Sequence, residues 1–492
     1  MPAGALRMAT IKFGTSGWRA VMAEEFTFRN VEVVIRAISH VVREDSGSGA
    51  SVAIGYDGRF LSPRFARAVA LTFASEGIRA LLPERATPTP VVAHAIQDRG
   101  LAGGIVLTAS HNPPEYNGIK FSPATAAPAP PELTARIETR AAELLADAPA
   151  SAAFPSARAE QDALVSEQVE AGRVEWYAPY DAYRDRLFSI LDVEPLRAAQ
   201  LTVVADVFYG AGRGHLPELL AEVGCAVEIV HDEDNPLFGG ARPDPVEANV
   251  GALVRRVRAT EAAVGLAVDG DADRFGIVDA DGTYIHANHV LALLSDYLIS
   301  SRGWRGEIVR SVPTSHLLDA VAAHHGASVV ETPTGFKYIG ERSLEAPGEF
   351  ILGGEESNGM TVRGHIPEKD GILACLLVAE MVAARGVTLS ELLEDLFCRV
   401  GRREVDRLDL ELPDERKRAL LARFDDDPPT EFAGRRVERI VTLDGHKLVL
   451  EGGAFIALRA SGTEPLVRCY LDANDRDEMV ALKDAAREMI GS

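Results

Sequence analysis

Apolar residues recur at Val31, Val34, Ile35, Ile38, Val41 and Val42, the spacing of one buried helix face, and Ser51-Val52-Ala53-Ile54 follows as a short strand. A second helix is predicted with Ser62 as N-cap, Pro63 at its first position and Gly77 just past its end. Ile105-Val106-Leu107-Thr108 reads as a strand running straight into Ala109-Ser110-His111-Asn112-Pro113. The Pro/Ala-rich stretch 122–131 predicts a surface loop, and the small residues of 147–160 an exposed excursion near the end of a first domain.

The same alternation returns further on. Strands are expected at 201–205 and 226–230, a helix at 249–258, and an apolar strand at 262–268 that ends on Asp269. A third stretch brings Phe350-Ile351-Leu352 into Gly353-Gly354-Glu355. The tail differs: strands near 437–443, 446–450, 455–459 and 467–471 precede one helix near 475–490, an α+β pattern. These changes divide the chain into segments 1–179, 180–284, 285–400 and 401–492. Each of the first three places its most polar motif directly after an apolar strand. Open α/β sheets bind ligands beyond the carboxyl ends of their strands, so the three loops are expected to converge on one cleft.

At 492 residues the chain is too long for a single ordinary core, in keeping with several domains. No apolar run approaches the roughly 20 residues of a membrane span, so no membrane association is expected. The first residues lack the apolar centre of a secretory signal. Cys225, Cys375, Cys398 and Cys469 are far apart, form no CxxC pair and sit in apolar surroundings, which predicts reduced core thiols and a cytoplasmic protein. A formal net charge of -22 argues against a nucleic-acid partner.

Asp269-Gly270-Asp271-Ala272-Asp273-Arg274 sets three carboxylates at alternate positions after a strand. That arrangement can aim several hard oxygens at one Mg²⁺; an EF-hand is a poor match, because Arg274 and Ala280 stand where Gly and Glu are needed. Ser110 lies in a polar turn beside Asn117-Gly118-Ile119-Lys120, without the Gly-x-Ser-x-Gly elbow of acyl-transfer hydrolases. Chemistry alone divides Ser110 between nucleophile and cap, and reads His111 more readily as a structural residue.

Arg459-Ala460-Ser461-Gly462-Thr463-Glu464-Pro465 followed by Arg468 offers guanidinium forks and turn amides for a phosphate dianion, or simply a hairpin with solvated arginines. Gly354-Glu355-Glu356-Ser357-Asn358-Gly359 offers partners for sugar hydroxyls, or a capping turn. Phe13-Gly14-Thr15-Ser16-Gly17-Trp18-Arg19 reads as a strand ending in a glycine turn, with Arg19 a candidate phosphate contact. Gly55-Tyr56-Asp57-Gly58-Arg59 reads as a turn closed by a local ion pair.

Taken together, and in this order along nearly the whole chain, these motifs resemble the α-D-phosphohexomutase superfamily; Thr334-Gly335-Phe336-Lys337 also looks like a family element. The resemblance implies three related α/β domains plus a C-terminal α+β domain around a central active-site cleft. It implies that Ser110 carries a phosphoryl group and that Mg²⁺ is held by Asp269, Asp271, Asp273 and the Ser110 phosphate. It further implies a hexose phosphate substrate and a hexose 1,6-bisphosphate intermediate. Lys120 would serve as general acid/base, with His111, Arg19 and Arg274 beside the transferring group. Glu355, Ser357 and Lys337 would grip the sugar, and Arg459, Ser461, Gly462, Thr463 and Arg468 the phosphate that is not reacting.

One departure stands out: many members continue the sugar loop with Gly-His, where this chain has Asn358-Gly359, which leaves His365 as a candidate replacement contact. The doubled glutamate in Gly-Glu-Glu-Ser looks more like phosphoglucomutases and favours glucose over mannose or glucosamine. A non-catalytic sugar-phosphate-binding relative should lack the serine or an aspartate, and all are present. A metal-dependent phosphatase would need an Asp-x-Asp-x-Thr/Val setting, which Asp273 breaks.

Overall fold

In the computed structural model, which describes residues 11–14, 16–47, 49–147, 158–460 and 466–491, the alternation along the chain becomes three sheets of one topology. In the first, Ser51–Tyr56 lies between Arg79–Pro83 and Gly103–Leu107, all parallel, and Gly103–Leu107 then pairs antiparallel with Tyr116–Pro123. Thr202–Asp206, Ala226–Val230, Val264–Val268 and Phe275–Asp279 repeat this arrangement, as do Glu307–Ser311, Ser328–Thr332, Phe350–Glu355 and Gly359–Val362. The strand that leads into each polar motif is buried along its whole length. A strand covered on both faces is apolar without alternation, which is why these three were legible. Their antiparallel return strands were not: Tyr116–Pro123 mixes Asn117, Lys120 and Ser122 with apolar residues.

Each motif is therefore the tip of a hairpin. At each tip a non-glycine residue takes a left-handed backbone: Ser110 at φ 51°, Ala272 at φ 59° and Asn358 at φ 70°. The last segment forms a six-stranded sheet from Glu404–Glu411 to Glu431–Phe432, covered by the helix Arg476–Gly491. Its edge strand Glu404–Glu411, no residue of which is fully buried, and the largely exposed helix Asp414–Asp426 escaped the sequence reading because both carry little apolar pattern.

The chain forms two compact units, one of residues 1–284 and 364–386, the other of 285–363 and 387–492. Within the first, helices Phe28–Ser46 and Ser62–Ser75 cover the first sheet. The helix Gly371–Arg385 packs on strands Val264–Val268 and Phe275–Asp279, its N-terminus capped by Asp370. No single helix among the described residues is long and apolar enough to cross a membrane.

Several local expectations need correction. Leu61, not Ser62, holds the cap position of the second helix, and the Ser62 hydroxyl bonds instead to Asp57 and Asn117. The 122–131 stretch is no free surface loop, since Ala126 and Ala127 are buried and a helix starts at Pro131. Most of the 147–160 excursion lies outside the described residues. The strand Trp18–Val21 follows the glycine turn instead of leading into it. Cys225, Cys375 and Cys469 are buried free thiols, but Cys398 is exposed.

His215 opens the helix Leu216–Glu222 from a buried position, its Nδ1 3.1 Å from the Arg213 carbonyl. Burial, with Arg85 adding to it, pushes its pKa down to about 4. Between that value and an unfolded value near 6.5 the unfolded chain binds a proton that the native one does not. Stability must therefore fall as pH drops through this window, by up to about 3 kcal/mol from this group. Urea midpoints at pH 7 and pH 4.5 are expected to differ less in His215→Asn than in the wild type. Equal differences would assign the acid sensitivity to other groups.

Candidate active site

Ser110 occupies its hairpin tip with 1% of its surface exposed. A left-handed backbone at a serine costs free energy and persists only where neighbours hold it. Its amide donates to Thr108 Oγ1 at 2.7 Å, and its carbonyl accepts from Arg59 Nη2 at 2.6 Å. Arg59 is fully buried and also donates to the carbonyls of Asn112, Pro113 and Tyr116 at 2.7–2.9 Å. Its Nε pairs with Asp57 Oδ2 at 2.9 Å, and that oxygen also takes the Thr108 hydroxyl at 2.6 Å. The turn expected to close on a local ion pair does so, and its guanidinium fork is the scaffold of the serine loop.

The aspartate loop meets the serine loop at Gly270. A Cβ there would stand 2.6 Å from the Ser110 carbonyl oxygen, so only glycine permits the approach. Ser110 Oγ donates to Asp269 Oδ2 at 2.6 Å, while Asp269 Oδ1 takes the amides of Asp273 and Arg274 at 3.0 and 3.1 Å. Lys120 Nζ bridges Asp271 Oδ2 at 2.5 Å and Asp273 Oδ2 at 2.6 Å. Thr89 donates its hydroxyl to Asp271 as well. The three carboxylates are buried, with one oxygen of each within 4.8 Å of the others. Asp271 Oδ1 and Asp273 Oδ1 have no hydrogen-bond partner among the described residues. Buried oxygens of this kind are normally satisfied, so the set fits a hard divalent cation.

The electrostatics separate the groups. Burial, then Asp271 and Asp273, hold the Asp269 carboxyl well above its usual range. At Asp273 burial works in the same direction, but Lys120, Lys369 and Arg274 outweigh it and bring the carboxyl below that range. Burial opposes the charge on Lys120, yet Asp271 and Asp273 raise its pKa above the ordinary value, so it is an ammonium. His111, with Nδ1 3.2 Å from Ser110 Oγ, is pushed well down by burial and then by Arg274 and Arg19, so it is a neutral imidazole. Arg19 donates to Asn112 Oδ1 at 3.0 Å, on the same loop.

Sequence reasoning missed Lys369, whose Nζ lies 3.2 Å from Asp273 Oδ2 and 3.1 Å from Glu368 Oε1. Its one signal is the run Glu368-Lys369-Asp370, which is buried throughout and reads in sequence as an ordinary helix start. His365, raised as a replacement sugar contact, has a fully buried side chain in the first unit. Its Nε2 lies 2.7 Å from Asp370 Oδ2, which also takes the Tyr183 hydroxyl at 2.7 Å. That geometry gives His365 a structural task.

The remaining candidates belong to the second unit. Glu355 Oε1 accepts the Gly335 amide at 2.7 Å, and Ser357 is half-buried in the turn after it. Lys337 lies over the Tyr338 ring. Arg459 and Arg468 are cross-strand partners on Phe455–Ala460 and Leu466–Ala473, side by side on one face. Ser461, Gly462 and Thr463 lie outside the described residues.

Comparison with known proteins agrees with this picture along the chain. Residues 10–147, 181–282 and 286–400 match the alpha/beta/alpha domains I, II and III of phosphoglucomutase/phosphomannomutase, and 404–489 match the C-terminal domain. A phosphoglucomutase/phosphomannomutase of Thermococcus kodakarensis is 31% identical over 95% of both chains. A probable phosphoglucosamine mutase of Methanosphaera stadtmanae is 28% identical over 98% of both. The crystal structure of a putative phosphomannomutase from Thermus thermophilus is similar with a TM-score of 0.83, at 32% identity, over 99% of this chain and 100% of that one. With the serine and aspartate loops joined as described, this chain belongs to the phosphoglucomutase/phosphomannomutase family of the α-D-phosphohexomutase superfamily and is a phosphohexomutase.

Proposed function

We propose that the protein interconverts glucose 1-phosphate and glucose 6-phosphate through a phosphorylated Ser110 and glucose 1,6-bisphosphate. The observation that carries the mechanism is the Ser110 hydroxyl seated on Asp269, within a cage of three carboxylates and two lysines. The preference for glucose rests on the doubled glutamate Glu355-Glu356. A phosphomannomutase or phosphoglucosamine mutase is the second reading, favoured by the names of similar proteins.

In this reading Asp269, Asp271, Asp273 and the serine phosphate hold Mg²⁺. When bound, Mg²⁺ neutralises charge on the phosphoryl oxygens. The free hydroxyl of the sugar phosphate attacks phosphorus; the new O–P bond forms as the Ser110 Oγ–P bond breaks. Two titratable groups with pKa values driven apart supply the protons. Neutral His111 takes the proton of the incoming hydroxyl, and the Lys120 ammonium returns one to Ser110 Oγ. After the bisphosphate turns end for end the roles reverse, and the isomeric monophosphate leaves. Arg19 and Arg274 balance charge at the transferring group. Glu355, Ser357 and Lys337 serve as sugar contacts, and Arg459, Ser461, Gly462, Thr463 and Arg468 as the seat of the idle phosphate.

Phosphorus NMR of the protein with Mg²⁺, a trace of bisphosphate and each of glucose, mannose and glucosamine 1-phosphates tests this directly. Glucose 6-phosphate is expected to appear fastest, and excess chelator to stop all conversion. Faster conversion of mannose or glucosamine would move the assignment to that sugar. Undiminished activity in chelator would refute the role given to the aspartates.

A further inference from the structure

Arg459 and the turn at 334–337 meet in the second unit at a residue that neither motif includes. Asp444 stands at the Asp-Gly tip of the hairpin joining Arg435–Val441 to His446–Leu450. Gly445 takes φ 79° there and lies hard against the Leu458 carbonyl, which presses the tip onto the strand bearing Arg459. Asp444 Oδ2 accepts from Arg459 Nε at 2.9 Å and from the Thr334 amide at 3.1 Å. The next amide, Gly335, donates to Glu355 Oε1 at 2.7 Å. One run of polar contacts thus leads from Arg459, through Asp444 and the Thr334-Gly335 backbone, to Glu355.

Asp444 and Arg459 are each about a quarter exposed, so their contact orients more than it stabilises. A carboxylate on Nε sets the plane of the guanidinium and directs its two terminal nitrogens, the edge that matches a phosphate bidentately, away from itself. Arg468 is the cross-strand partner of Arg459, so this orientation decides whether both forks address one anion.

We propose that Asp444 is a positioning residue for hexose-phosphate binding, one carboxylate holding both the Arg459 guanidinium and the Thr334 turn that supports Glu355. The proposal rests on the reading of Arg459 as a phosphate ligand.

A double-mutant cycle tests it. Full-length Ser110→Ala protein, which cannot turn substrate over, is titrated calorimetrically with glucose, mannose and glucosamine 6-phosphates in turn. The sugar that binds is then offered to Asp444→Asn, Arg459→Ala and the double variant in the same background. Asp444→Asn keeps an amide oxygen able to accept the Thr334 N–H but loses the charge facing Arg459, so it is expected to weaken binding about tenfold where Arg459 is present and less than twofold where it is absent. A merely structural role would give the same loss in both backgrounds and would overturn the proposal. So would unweakened binding in Asp444→Asn while Arg459→Ala still binds poorly. If Arg459→Ala also binds normally, the phosphate-ligand reading itself fails, and the proposal with it. Asp444→Glu, which keeps the carboxylate, is expected to recover part of the affinity, and thermal midpoints identify any variant that has lost its fold.

Discussion

Ser110→Ala is expected to lower turnover by roughly 10⁴-fold or more while leaving the protein folded. In the proposed mechanism the phosphoryl group then has no oxygen on which to rest between the two half-reactions. Among the described residues Thr108 Oγ1 is committed to the Ser110 amide and to Asp57, and the Thr89 hydroxyl to Asp271. The loss of one hydrogen bond to the buried Asp269 costs about 1–3 kcal/mol, less than a domain's stability. Both backbone anchors of the loop, the Thr108 hydroxyl and Arg59, survive the substitution. Phosphorus NMR of substrate conversion, read beside the thermal midpoint, checks both halves. Wild-type turnover in the folded variant would sink the phosphoserine mechanism.

Arg59→Met should also damage the enzyme, though less than loss of the serine itself, from a residue given no part in the chemistry. The substitution keeps an apolar stem but removes a hydrogen-bond donor from four carbonyls and leaves Asp57 buried without its cation. Breaking a buried pair in this way typically costs about 3–5 kcal/mol. The serine loop should relax from its left-handed geometry, and turnover should fall by about 100-fold or more, because a misplacement of about 1 Å at the reacting atom costs that much. Asp57→Asn added to Arg59→Met is expected to recover stability without recovering activity, since the stranded charge is gone but the loop is still unheld. Urea midpoints and kcat values of the two variants separate the effects. Normal turnover in folded Arg59→Met would show that other contacts hold the loop.

These two residues mark the boundary of what could be read from the chain. Ser110 was visible because a polar turn directly after a buried apolar strand is a local pattern. The aspartate loop was visible for the same reason, with three carboxylates within five residues. Arg59 was seen only as half of an ion pair, because its other partners lie more than fifty residues away and are backbone carbonyls, which any residue carries. Lys369 was missed outright, since nothing local distinguishes a lysine before a helix from one directed at a carboxylate some ninety-six residues earlier. His365 shows the converse: its spacing after the sugar loop invited a functional role, and its burial against Asp370 removed it.

The chain by itself determined the order of domains, the apolar strands that end in reactive loops, and the residue types those loops offer. All of these depend on periodicity and on neighbours close in sequence. Only the tertiary structure decided that the three motif strands each turn back in a hairpin, and that Gly270 brings the aspartates against Ser110. It alone decided that Lys120 is held charged while His111 is held neutral. A protonation state depends on burial and on which charges lie within a few ångströms, and that distance is a property of the folded chain, not of separation along it.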